Sequence, residues 1–161
     1  MIFARPIWLI AYTAGLLDGE GSIQINAAKN KKYGTAYWVM SVHIANNEVA
    51  VLDELCAEWG LGSVNSFASR GSRTDRRNGR WSLYGREAEE LLREVLPYLW
   101  MKRAQALLAL EFRNHVGFAK GTRELPVGAT VKRNEIAERM RVLNAKNLKG
   151  PDARKRLAVV R

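Results

Sequence analysis

The sequence predicts an α+β protein with one four-stranded antiparallel sheet, and three observations support that class. Two pairs of runs alternate apolar and polar residues, which indicates two β-hairpins. Each pair is followed by apolar residues at helical spacing. The chain has 161 residues, the length of one domain that buries its own core, and its single cysteine excludes a disulfide framework within the chain.

The predicted order of elements is αββαββαα. Pro6 suits the first turn of an apolar helix, and Gly19 is expected to end it in a left-handed conformation. The elements expected are a helix from Pro6 to Leu17 or Asp18, a strand through Ile23 and Ile25, a strand over 37–44, a helix over 47–59, strands over 63–70 and 79–84, a helix from about Ala88 to Val95 and a helix from Tyr98 to His115. After a connector over 117–130, Ile136, Met140 and Leu143 predict one more helix.

Basic charge is concentrated in two zones of the chain. The formal net charge is +10 at pH 7. Five arginines and one aspartate lie between residues 62 and 84, and twelve lysines and arginines stand against four acids in residues 117–161. This distribution predicts a polyanion as partner. Solubility alone is the alternative explanation, but the mixing of Arg with Asn, Ser, Trp and Tyr favours nucleic acid.

The run TAGLLDGEGSI over residues 13–23 is the most informative motif. Ala14 and Gly15 remove bulk from one helix face, which would let another helix approach closely. Asp18 and Glu20 follow at the predicted helix end, where acids oppose the macrodipole. One explanation is that the two acids simply solvate the helix end. The other is that they require a countercharge, which a hard divalent cation would supply.

This run resembles the LAGLIDADG motif of homing endonucleases, with Thr13, Gly19 and Glu20 where the pattern has Leu, Ala and Asp. The resemblance covers about residues 8–116. It implies that two motif helices pack side by side, and that the last acid binds catalytic Mg²⁺, with Mn²⁺ or Ca²⁺ as other occupants. The residues so assigned are Glu20 and Gly19 for the metal, and Ala14, Gly15 and Asp18 for the dimer interface.

One motif in the chain implies a homodimer and a pseudo-palindromic double-stranded DNA target. The resemblance implies an intron-encoded endonuclease that hydrolyses both strands of a long site and leaves short 3′ overhangs. Lys102 falls where single-motif relatives carry a water-organising lysine. Its alternative is an ordinary solvated charge, and Arg103 could replace it. The resemblance also implies a polar residue that orients water after the second strand, and Asn46 lies within about one residue of that position.

The polar face of the sheet is the predicted surface for reading bases, and the hairpin turns are predicted to grip phosphates. The residues assigned to the face are Gln24, Asn26, Tyr37, Ser41, His43, Arg80, Ser82 and Tyr84. Those assigned to the turns are Lys29, Lys31, Lys32, Arg70, Arg73, Arg76 and Arg77. The C-terminal zone, with Lys132 and Arg133, is predicted to clamp the backbone. As catalysts His43 and His115 are disfavoured; a sheet-face contact and a helix-end charge fit them better.

The predicted domain organisation is an endonuclease core over 1–116 and a basic helical extension over 117–161 packed on the same domain. The apolar run over 7–17 is too short to span a bilayer and is followed at once by acids, so neither a membrane partner nor a signal peptide is expected. The expected location is intracellular, with DNA, and no small-molecule substrate is expected. A LAGLIDADG maturase or a non-cleaving DNA-binding regulator is the alternative function, and a purely structural basic dimer is a third.

Overall fold

The computed structural model describes residues 5–29, 36–68, 77–115 and 127–145. Within them the chain forms five α-helices and four strands, which confirms the α+β class. The elements are α1 Ile7–Glu20, β1 Gly21–Lys29, β2 Ala36–Asn46, α2 Val49–Trp59, β3 Ser63–Ala68, β4 Arg77–Tyr84, α3 Gly85–Val95, α4 Arg103–His115 and α5 Val127–Asn144. A 3-10 turn, Leu96–Tyr98, lies between α3 and α4.

The four strands form one antiparallel sheet in the order β1-β2-β4-β3. Each strand alternates between two faces, so every second residue points into the core. The inner face is apolar and buried, and it is made by Ile23, Ile25, Met40, Val42, Ile44, Trp81 and Leu83. The predicted pairing of apolar and polar faces is therefore confirmed.

The core lies between that inner face and the helices, which pack against β1, β2 and β4. Helix α2 ends at Gly60, whose φ of 63° is the left-handed conformation that glycine adopts without a side-chain penalty. Helix α5 contacts α4 and β1, and the Asn144 side chain donates a hydrogen bond to the Ile23 carbonyl oxygen at 2.8 Å. In the described ranges no helix is long and apolar enough to cross a bilayer.

The end of α1 differs from the prediction. The helix continues to Glu20, and Gly19 is not in a left-handed conformation, so its assignment as a helix stop is wrong. The turn is made at Gly21, whose N–H bonds to the Leu17 carbonyl while its φ of −88° leads directly into β1. A Cβ at Gly21 would lie 2.3 Å from the Leu17 side chain, so the transition from helix to strand requires a glycine there.

Two helix starts also differ from the prediction. Helix α4 begins at Arg103 rather than Tyr98, because residues 99–102 form an irregular segment held by contacts from the end of α1. Helix α5 begins at Val127, inside the stretch that the glycines and Pro126 had marked as a connector. The predicted phosphate-gripping residues Lys31, Lys32, Arg70, Arg73 and Arg76 lie outside the described residues.

Candidate active site and nucleic-acid interface

The carboxylate of Glu20 lies at the exposed end of α1, next to the outer face of the sheet. The Asn46 side-chain N–H donates to it at 2.9 Å. The other side of the same amide, Oδ1, accepts the backbone N–H of Glu48 at 2.8 Å, just before α2. Because both ends of the amide are engaged, Asn46 is fixed in one orientation beside Glu20. The structure thus brings together two of the three residues predicted to be catalytic.

The other acid of the motif, Asp18, is turned into the chain and is 8% exposed. Its carboxylate accepts backbone N–H groups from Trp100 at 2.7 Å, Met101 at 3.1 Å and Lys102 at 2.8 Å. The Lys102 ammonium donates in turn to the backbone carbonyl of Asp18. The Lys102 ammonium therefore lies at the last turn of α1, against the residue two positions before Glu20 in the chain.

The donor set at the end of α1 suits a hard cation, and the described residues supply part of its coordination shell. Glu20 offers carboxylate oxygens, and Gly19 lies in the last helical turn, where carbonyls lack intrahelical partners. Carboxylate and carbonyl oxygens are the ligands that Mg²⁺, Mn²⁺ and Ca²⁺ take. Among the residues that the structure describes, no three His, Cys, Asp or Glu side chains cluster as a metal site. The described part of the chain therefore supplies only some of the oxygen ligands that such a cation takes.

The outer face carries a row of polar side chains that crosses three strands. Ser22, His43 and Ser82 are paired across β1, β2 and β4, and His43 Nδ1 lies 3.0 Å from the Ser82 hydroxyl. The Tyr84 ring meets the His43 ring edge-on, 5.5 Å between centroids. Burial, and then the charge of Arg80, lower the pKa of His43. The imidazole is therefore held toward its neutral form.

A shallow depression of about 160 Å³ joins this face to the candidate active site. It is lined by Glu20, Ser22, Gln24, His43, Ala45 and Arg80. The Arg80 guanidinium lies over the Phe67 ring, 5.6 Å from its centroid, which orients an otherwise mobile cation. Base-reading candidates and the acid are thus on one continuous surface.

The predicted DNA-binding residues are distributed unevenly on that surface. Asn26, Arg80 and Tyr84 are exposed, and Gln24 and His43 are half-buried. Ser41 and Ser82 belong to the outer face but are covered by their neighbours. Lys29, Tyr37 and Arg77 lie in strands, and their side chains, like that of His115, are outside the described part. In α5, Lys132 is exposed, but Arg133 is only 6% exposed, which corrects its assignment to a phosphate clamp because its guanidinium is packed inside the chain.

An apolar stripe that the sequence analysis missed runs along the exposed side of α1. Trp8 is 63% exposed and Tyr12 51%, and they share a face with the exposed glycines Gly15 and Gly19 at spacings of four and three residues. Ala14, on the other side, is fully buried in its own chain. The sequence did carry a signal for this stripe. Helix α1 has apolar residues on all sides, more than a helix with one face on the core requires.

The two hairpins, each followed by helices on one face of the sheet, with the motif helix leading into β1, form the LAGLIDADG homing-endonuclease fold. The structure is similar to that of the homing endonuclease I-CvuI in complex with its target, with a TM-score of 0.68, 21% identity and coverage of 94% of this chain and 93% of that one. It is equally similar to the archaeal intron-encoded homing endonuclease I-Vdi141I complexed with DNA, with a TM-score of 0.68, 14% identity and coverage of 95% and 94%.

In other solved structures, this chain matches about half of a longer chain. The chain matches the LAGLIDADG homing endonuclease I-GzeII, in complex with its DNA target, with a TM-score of 0.61 and 17% identity. That match covers 98% of this chain and 50% of the other. No protein-family model and no curated protein sequence matches the chain.

Proposed function

We propose that the protein is a homodimeric, site-specific DNA endonuclease that hydrolyses both strands of a long, pseudo-palindromic duplex with the help of a divalent cation. The observation that supports this proposal is the position of the Glu20 carboxylate beside the polar sheet face, where it is hydrogen-bonded to Asn46 and lines one cleft with Lys102. Structures of the same fold are DNA complexes of homing endonucleases. An intron origin, an intracellular location and short 3′ overhangs belong to the same proposal and are suggested by the motif.

The dimer is proposed to form through the exposed stripe of α1. Two copies related by a two-fold axis would pack Trp8 on one helix against its counterpart, with Gly15 allowing close approach of the backbones. That packing would bring Glu20 of each copy to the same axis. It would also complete the oxygen set that one chain lacks. Half coverage of the longer I-GzeII chain fits a protein in which two copies do the work of one such chain.

In the proposed mechanism, the Glu20 carboxylate and the Gly19 carbonyl would hold a divalent cation. When bound, the cation would lower the pKa of the attacking water and offset charge on the departing 3′ oxygen. Asn46 fixes the direction of the Glu20 carboxylate through its 2.9 Å hydrogen bond. The Lys102 ammonium supplies positive charge beside the developing phosphorane charge. Each protomer would hydrolyse one strand.

Duplex recognition is proposed to use the outer face in a major groove. Gln24 and Asn26 on β1, with Arg80 and Tyr84 on β4, present donors and acceptors that can read base edges. The neutral His43, whose Nδ1 is paired with Ser82, would offer Nε2 to a base edge rather than act as a phosphate-binding cation. The basic hairpin turns and Lys132 would contact phosphates, giving affinity without sequence information.

The test is selection of cleaved sites from a randomised duplex library in Mg²⁺, followed by substitution of Glu20. Glu20→Gln keeps size and the Asn46 neighbour but removes the charge that would bind the cation. We expect at least a ~100-fold loss of cleavage of the selected duplex, with its affinity in a mobility-shift assay unchanged within about threefold. The matched control is Glu54→Gln on the exposed face of α2, which should cleave normally. Equal cleavage by both variants would refute the proposal.

A LAGLIDADG maturase or a DNA-binding regulator that does not cleave is the second candidate. The basic charge and the polar sheet face are consistent with either. A maturase would support intron splicing after Glu20→Gln, and a regulator would bind duplex without cleaving any selected site. Glu20 is exposed and hydrogen-bonded to an oriented amide, which favours the nuclease over both. A purely structural dimer would bind duplex without the steep salt dependence expected of phosphate contacts.

A further inference from the structure

The two acids of the motif have opposite environments, although only one residue separates them. Glu20 is exposed, whereas Asp18 is buried and surrounded by donors from residues 100–102. Burial of a carboxylate is unfavourable unless hydrogen bonds compensate for its lost hydration. Three charge-assisted bonds from successive backbone N–H groups supply that compensation. Asp18 therefore has a function within the chain that its place in the motif does not reveal.

The segment that Asp18 holds has no regular structure of its own. Residues 99–102 lie between the 3-10 turn and α4, and successive N–H groups in such a segment form a concave anion site. The anion is supplied by a residue more than eighty positions earlier in the chain. Helix α4 then starts directly after Lys102, whose carbonyl accepts the Ala106 N–H at 2.9 Å. Asp18 thus fixes where α4 begins relative to the end of α1.

Lys102 is bound to Asp18 at two points. Its backbone N–H donates to Asp18 Oδ1 at 2.8 Å, and its ammonium donates to the backbone carbonyl of the same residue. A long lysine side chain has many rotamers, and attachment at both its origin and its tip restricts them to a few. The tip is thereby kept at the last turn of α1, in the cleft that Glu20 also lines.

We propose that Asp18 is a positioning residue that holds the Lys102 ammonium at the phosphodiester-cleaving end of α1, and that it binds neither metal nor the second copy. This inference rests on the proposed function and deepens it. The Asp18 carboxylate does not touch the substrate. It acts on the reaction only through the segment that it organises, so its effect on cleavage disappears when Lys102 is absent.

The first test measures the segment itself and does not depend on cleavage. Asp18→Asn keeps the shape of the side chain but replaces one acceptor oxygen by a donor. Amide hydrogen exchange at residues 100–102 should become at least ~10-fold faster in Asp18→Asn, while exchange in the strands stays unchanged. The matched control, Asp53→Asn on the exposed side of α2, should leave all three amides protected. Unchanged exchange in Asp18→Asn would overturn the inference.

The second test is a double-mutant cycle on cleavage of the selected duplex, with Asp18→Asn, Lys102→Met and the double variant. We expect Asp18→Asn to lower kcat by about 10- to 100-fold, the size of effect that a small misplacement of a catalytic group produces. Duplex Kd should change less than about threefold. The double variant should be no more than about twofold slower than Lys102→Met. If the loss of kcat in the double variant equals the product of the two single losses, Asp18 acts independently of Lys102. That result would overturn the inference.

A second variant covers the case in which Asp18→Asn fails to fold. Asp18→Ser supplies a short hydroxyl acceptor of the kind that caps helices and replaces the anion by a neutral group. It should restore part of the amide protection and part of kcat together. If the wild-type protein cleaves and the cycle is additive, only this inference fails. If the wild-type protein cleaves no duplex, both the proposed function and this inference fail. Faster exchange in Asp18→Asn would then show only that Asp18 stabilises the 100–102 segment.

Discussion

His43 lies in the middle of the outer face, and its pKa is lowered from the ordinary value of a histidine. Burial is the main cause of the lowering, and the nearby charge of Arg80 adds to it. Its Nδ1 is engaged by Ser82 at 3.0 Å and its ring by Tyr84, so protonation would place a charge in a site built for a neutral ring. The same environment favours the neutral imidazole near neutral pH, with Nδ1 already paired with Ser82.

A consequence is a loss of stability in mild acid that depends on His43. In the unfolded chain the imidazole titrates near pH 6.5, whereas in the folded chain it does so at lower pH. As pH falls below about 6.5 the unfolded state takes up the proton first, and stability decreases until the folded pKa is passed. Urea unfolding at pH 7.5 and 5.5 should therefore show a smaller decrease for His43→Asn than for the wild type. Identical decreases would contradict the assignment.

For single residues, the sequence predicts which side chains have a functional role better than it predicts what those side chains contact. The sequence assigns Glu20, Lys102 and Asn46 from their resemblance to motif positions. In the structure Asn46 hydrogen-bonds Glu20, while Lys102 contacts the neighbouring Asp18. The inward turn of Asp18 was not predictable, because its partners are amides of a segment distant in the chain. Arg133 was misassigned for the same reason: a basic helix predicts an exposed charge, and only packing against other elements reveals that this one is buried.

Between elements, the link from α1 to α2 is a hydrogen bond in the core. Thr13 stands where the motif pattern has Leu, and the sequence alone indicates a weaker apolar face. Its hydroxyl instead donates to the Leu9 carbonyl at 2.8 Å and accepts the Trp59 indole N–H at 2.9 Å. Both side chains are buried, so the departure from the pattern provides the partner that the indole needs.

Replacing Thr13 by Val should destabilise the protein by about 1–3 kcal/mol, because a nearly isosteric side chain leaves the buried Trp59 N–H without an acceptor. Urea unfolding measures the loss. The comparison background is Trp59→Phe, which lacks the indole N–H. In that background, Thr13→Val should lower the free energy of unfolding by distinctly less, because there is no indole N–H to leave without an acceptor. An equal cost in the two backgrounds would show that the hydroxyl does not act through Trp59.

Secondary structure was predictable where it depends on local pattern and failed where a tertiary contact overrides it. The two hairpins follow from strict alternation, and their apolar sides form the inner face of the sheet. The start of α4 was predicted about five residues too early. Leucine and tyrosine at 96–99 are compatible with helix, but the Asp18 carboxylate holds the next three amides in another conformation.

For the whole molecule, the exposed apolar surface is the property that a single chain does not explain. Trp8 and Tyr12 lie exposed along α1. Trp100, 83% exposed, is the first residue of the segment whose N–H groups bind Asp18. Large exposed aromatic side chains in a helical stripe are typical of association surfaces. Gly15 in that stripe has no atom within 4 Å of the place where a Cβ would lie, so the surface is open in one chain.

If the proposed dimer forms through α1, Gly15→Arg should convert it into a folded monomer. The new side chain has space in its own chain and is a better helix former than glycine, but it would separate two α1 helices that approach through that position. Sedimentation equilibrium should give about one chain mass of 18.2 kDa, against two for the wild type. Cleavage of both strands should be lost, because a single protomer holds only one Glu20.

Gly128→Arg is the matched control, since Gly128 is also exposed, lies in α5 and has no atom within 4 Å of its Cβ position. It adds the same charge away from the α1 stripe and should remain dimeric and active. This separates blocked association from altered net charge, which would act equally in both variants. A dimeric Gly15→Arg protein would place the association surface elsewhere. Two copies of Glu20 would then have no reason to meet at one axis, and the two-fold symmetric target would have to be abandoned with the α1 interface.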